Sequence, residues 1–71
     1  MTEEIFLEKM TEILDAEDEV TMATELDSLE EWDSLSVVSY VAMANAACGR
    51  KIEVKKVREA VTLQDLYDML Q

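Results

Sequence analysis

The apolar positions divide this chain into segments with different periods. In residues 3–15, Phe6, Met10, Ile13 and Leu14 recur at spacings of four, three and one, with Glu3, Glu4, Glu8, Lys9 and Glu12 largely on the other side. That is the stripe of an amphipathic helix, and Thr2 ahead of two acidic residues is a start signal for it. Ile5 and Leu7 fall off the stripe, which places one of them at its edge. Residues 16–33 hold no sustained period. Irregular stretches of that length are either functional or pinned through their own side chains, and Val20, Met22, Leu26, Leu29 and Trp32 are the candidates for pinning. Residues 35–48 are apolar on most faces, the signature of a helix that is central to a bundle or presents a binding face. Gly49, the sole glycine, fits the left-handed stop of that helix. Thr62 and Asp65 then resemble a capping box, followed by the stripe Leu63, Leu66, Tyr67 and Leu70 of a last helix. The expected fold is an all-α bundle, with residues 1–71 forming a single domain.

Composition narrows the chemistry. A core of this size has little stability to spare. With one cysteine there is no internal disulfide. With no histidine to activate it, Cys48 reads as a small apolar residue near a helix end. Asp15, Glu17 and Glu19 alternate as in a calcium loop, but Val20 stands where that loop needs glycine and Leu26 where it needs glutamate, so no metal site is expected. No nucleophile and base pair calls for an enzyme. The net charge is -11, and it is uneven: among residues 1–49 Lys9 is the sole cation, whereas Arg50, Lys51, Lys55, Lys56 and Arg58 crowd into the next ten. Those five read best as a solvated face pairing with the acidic half. Nucleic acid and anionic membranes should be repelled and a basic protein surface attracted, unless the acidity serves solubility alone. No apolar run is long enough to span a bilayer, and the segment Met1-Thr2-Glu3-Glu4 lacks the features of a signal peptide; the expectation is a cytoplasmic monomer.

The candidate chemistry lies at Glu31-Trp32-Asp33-Ser34-Leu35, where the acidic irregular segment meets the apolar helix. Ser34 stands at the mouth of that helix, where unpaired N–H groups and the positive end of the dipole favour a phosphate. The plain alternative is a capping role for Asp33 or Ser34, and both hold together if Asp33 caps while Ser34 sits one step inside with its hydroxyl exposed. The tripeptide Asp-Ser-Leu also occurs at Asp27-Ser28-Leu29, but no apolar helix comes after it there, and Ser28 reads as a turn or capping residue. Trp32 reads as a packing anchor for the helix start.

Asp33-Ser34-Leu35 with Trp32 before it, the apolar helix ending near Gly49 and the two later helical segments together resemble the acyl and peptidyl carrier proteins, over nearly the whole chain. The resemblance implies a small four-helix bundle of three main helices and a short third one, which residues 54–60 could form. It also implies a 4'-phosphopantetheine arm on Ser34, bearing acyl groups as thioesters in a specialised fatty acid, polyketide or related pathway. Asp33 would help present the serine and Leu35 would tuck under the helix start. A phosphopantetheinyl transferase would attach the arm, and acyl-loading, synthase or transferase enzymes with basic docking surfaces would use it. Family members of fatty acid synthesis carry acidic residues along this helix, but here none lies between Asp33 and Glu53. Partner binding is therefore expected at Glu25, Asp27, Glu30 and Glu31 together with Val37, Val38, Tyr40 or Met43. A long acyl chain would lodge among Met10, Val41, Met43 and Leu66. The alternative is an unmodified small acidic helical interaction domain.

Overall fold

Thr2 begins the first helix as a side-chain cap. Its hydroxyl accepts the Ile5 N–H at 3.3 Å and its carbonyl accepts that of Phe6 at 2.9 Å, satisfying two of the donors that a helix start leaves open. The computed structural model describes residues 1–16 and 19–70; Glu17, one of the alternating carboxylates of the calcium-loop reading, lies outside the described residues. Helix α1 runs Glu3–Leu14 and buries Phe6, Met10 and Leu14. Leu7 and Ile13 pack at the margin of the core, and Ile5 faces out. Asp15 ends the helix in the left-handed conformation (φ 51°), which its short polar side chain tolerates better than most.

The next segment is pinned as its apolar residues suggested, with Val20 and Leu26 buried and Met22, Leu29 and Trp32 packed against the core. It also contains a 3₁₀ turn, Leu26–Ser28, that no periodicity announced. Backbone hydrogen bonds fasten it to a distant part of the chain. Leu26 N–H reaches Val61 O at 2.8 Å, Leu63 N–H reaches Thr24 O at 3.2 Å and Gln64 N–H reaches Met22 O at 2.9 Å, around an isolated antiparallel bridge between Glu25 and Thr62.

Helix α2 spans Ser34–Cys48 and stops at Gly49, whose φ of 65° is one that a side chain would make costly. Helix α3, Val54–Glu59, packs on α2 and buries Val57. Helix α4, Leu63–Asp68, opens with a complete capping box: Asp65 N–H to the Thr62 hydroxyl at 3.4 Å, and Thr62 N–H back to the Asp65 carboxylate at 3.2 Å. The last helix is thus as short as the third, and Leu70, the end of the stripe, is buried in the turn beyond it. Phe6 and Tyr67 meet edge to face, ring centres 5.3 Å apart, and tie α1 to α4. The molecule is an all-α bundle of four helices with no strand among the described residues. Among the described residues no helix is long and apolar enough to cross a membrane.

Hydrophobicity alone does not set the rotation of α2, because every face of it is apolar. Its polar side chains discriminate. The Tyr40 hydroxyl donates to Leu66 O at 2.6 Å inside the core, and the buried Ser36 hydroxyl donates to Glu31 O. A buried hydroxyl left unpaired costs roughly 1–3 kcal/mol, more than exchanging one alanine or valine for another at the surface. Burial also pushes the Tyr40 phenol above its ordinary pKa, so it remains a neutral donor. The chosen rotation buries Ser36, Val37, Tyr40 and Ala44.

This setting corrects two expected partner contacts. Val37 (3% exposed) and Tyr40 (0%) lie in the core and are closed to any partner. Met10 and Leu66 are likewise fully buried core residues, with Val41 and Met43 at its edge. An acyl chain lodged among these four would have to part the packed core.

Candidate functional site

The site is built at the junction of the pinned segment and α2. Asp33, in extended conformation, caps the helix: its carboxylate accepts the Ser36 N–H at 3.0 Å, and its carbonyl accepts the Val37 N–H at 3.0 Å. The Ser36 N–H holds the Asp33 carboxyl below its ordinary pKa against the opposing effect of desolvation, with smaller help from the Ser36 side chain and the Leu35 and Asp33 N–H groups. Because Asp33 does the capping, Ser34 is released from it. Ser34 is the first helical residue, exposed, and its hydroxyl is not spent on the helix end. The segment leading into Asp33 is held by the Ser36 hydroxyl on Glu31 O and by Trp32 N–H on Leu29 O at 3.2 Å.

Asp27, Trp32, Asp33, Ser34, Val37 and Arg58 line a shallow cavity of about 360 Å³ at this helix start. Trp32 and Val37 are the apolar members of this lining, and Arg58 reaches in from α3. The Arg58 guanidinium donates to Ser34 Oγ at 3.2 Å across 24 residues of chain. Arg58 did not emerge from the sequence reading, which placed the basic cluster on a solvated face. A signal was available, however: with Lys9 the sole cation among residues 1–49, a positive charge beside Ser34 had to come from Lys9 or from the later basic cluster.

The remaining expected site residues divide. Glu30 and Glu31 are exposed and border a second cavity, of about 320 Å³, with Glu19, Ser28 and Leu29. Val38 is 58% exposed on the outer face of α2, and Met43 is half-buried. Leu35 corrects its expectation: it is 76% exposed and does not tuck under the helix start. At 100° per residue Leu35 and Val38 point roughly 150° away from the buried line of Ser36, Val37, Tyr40 and Ala44. The space beneath the helix start is filled by Ser36 and Val37 instead. Ser28 has the turn role expected of it, its hydroxyl donating to Glu25 O at 2.7 Å.

Chemically, the arrangement offers one accessible hydroxyl with a cation on one side and carboxylates around it. No protein-family model matches the chain. Neither the curated proteins nor the solved structures contain a match to it.

Proposed function

We propose that this chain is a carrier whose Ser34 hydroxyl bears a 4'-phosphopantetheine arm, attached by a separate transferase from coenzyme A. The observation that carries the reading is the division of labour at the helix start. Asp33 satisfies the cap, so the next residue holds an exposed hydroxyl that the fold does not need. The surroundings fit a phosphodiester: Ser34 lies in the first turn of a fifteen-residue helix, and a guanidinium sits within hydrogen-bonding distance of the atom that would be esterified. When bound, the arm supplies a thiol that holds acyl groups as thioesters. The chain's own task is to present the serine, and α2, Asp33 and the Ser36–Glu31 hydrogen bond fix its position.

Partners with basic surfaces would approach over Glu30 and Glu31 and rest on Leu35 and Val38, the apolar side chains that α2 turns outward. Charge reversal at Glu30 and Glu31 should lower partner turnover. The same exposed patch is what an unmodified interaction domain would use, so the modification itself decides between the two readings. Intact mass is measured before and after incubation with coenzyme A and a broad-specificity phosphopantetheinyl transferase. A gain of one phosphopantetheine unit in the wild type and in Ser28→Ala, absent in Ser34→Ala, is the expected result. No gain in a folded wild-type chain would overturn the carrier reading in favour of the interaction domain.

A further inference from the structure

The contact between Arg58 and Ser34 is chemically unbalanced. A guanidinium carries five N–H donors in a planar fork that matches two oxygens of a phosphate or carboxylate. Here, in a chain of net charge -11, the described contact of that fork is with one neutral hydroxyl. The carboxylates of Asp27 and Asp33 line the same cavity, and Glu30 and Glu31 are exposed just before it in the chain. The backbone beneath Arg58 is held in place, since its neighbour Val57 is fully buried against the core. The fork is therefore delivered to Ser34 by the packing of α3 on α2.

We propose that Arg58 is a positioning residue for the arm, its guanidinium pairing with the phosphodiester on Ser34 and holding the first links of the arm beside Trp32. This rests on the carrier reading and adds to it. A phosphodiester on Ser34 is a permanent anion set among carboxylates, and in that field an unanchored arm is driven outward into solvent. Arg58 offsets the repulsion and offers a fork to the two non-bridging oxygens. Because the pair is exposed, the effect is modest and sensitive to salt.

The test compares the modified forms of wild type, Arg58→Gln and Arg58→Lys, each verified by intact mass, with an arm labelled with ¹⁵N at its amides. The heteronuclear NOE of the amide nearest the phosphate and the ³¹P line are recorded in low salt and in ~0.5 M salt, where screening reaches only about 4 Å. In low salt the ratio of docked to free arm should fall about 1.5- to fivefold in Arg58→Gln, the range expected of an exposed ion pair. Arg58→Lys should be intermediate, since it keeps the charge but not the fork. High salt should erase the difference. Matching amide spectra of the unmodified proteins away from residue 58 would exclude a change of fold. Identical arm dynamics and ³¹P lines in all three proteins, at both salt concentrations, would overturn the role of Arg58 and leave the carrier reading standing. A wild type that gains no mass would overturn both.

Discussion

The chain contains the tripeptide Asp-Ser-Leu twice, six residues apart, and the fold gives the two copies opposite roles. In Asp27-Ser28-Leu29 the serine closes a 3₁₀ turn and donates its hydroxyl to Glu25 O, while the leucine packs against the core. In Asp33-Ser34-Leu35 the aspartate caps a long helix, the serine hydroxyl is open and receives Arg58, and the leucine stands in solvent. The three residue types decide none of this. Their C-terminal neighbours do: Glu30-Glu31-Trp32 continues an irregular segment, whereas Ser36-Val37-Val38 begins four turns of helix. A serine becomes available when a neighbour takes over the capping and the chain turns away from its own backbone acceptors.

Parallel substitutions in the two copies sharpen the contrast. The largest difference in stability is expected at the leucines. Leu29→Ala removes part of the core margin and should cost about 1–2 kcal/mol, whereas Leu35→Ala, at 76% exposure, should stay within about 0.5 kcal/mol. Equal losses in denaturant unfolding would contradict the assigned rotation of α2. The aspartates come next. Asp33→Ala loses the helix cap and should lower the thermal midpoint by several degrees, while Asp27→Ala, which caps nothing through its side chain, should barely move it.

The smallest effect separates the aspartates by pH. The Asp33 carboxyl lies below its ordinary value of 3.8 in the folded chain, so the stability it contributes is fully present above that value and is lost as pH falls through the lower, folded one. Asp33→Asn retains an acceptor for the Ser36 N–H and should flatten this part of the acid-unfolding curve. A curve unchanged between wild type and Asp33→Asn would show that the cap owes nothing to charge.

The contrast also marks what the sequence could reveal. The α1 stripe, the Thr2 cap, the Gly49 stop and the Thr62–Asp65 box are local patterns, and each formed where its residues indicated. The rotation of α2 was not legible, because a helix apolar on every side has no stripe. Its setting comes from partners far along the chain, Tyr40 on Leu66 above all, 26 residues apart. That is why Val37 and Tyr40 are expected among partner contacts but lie in the core, while Leu35, which the family resemblance places beneath the helix start, stands in solvent. The approach of Arg58 to Ser34 is of the same kind: it results from the docking of α3 and from no spacing in the sequence. The 3₁₀ turn at Leu26–Ser28 belongs here too, since the bridge between Glu25 and Thr62 helps hold it.

Trp32 is the chain's one tryptophan, half-buried, on the wall of the cavity that Ser34 opens into. Its indole is thus a built-in optical probe within reach of whatever the serine bears. Emission excited at the red edge of the absorption band comes from this single ring, so under the proposed function the arrival of a group on Ser34, its departure and the seating of a partner over the helix start would be tracked in real time without attaching a dye.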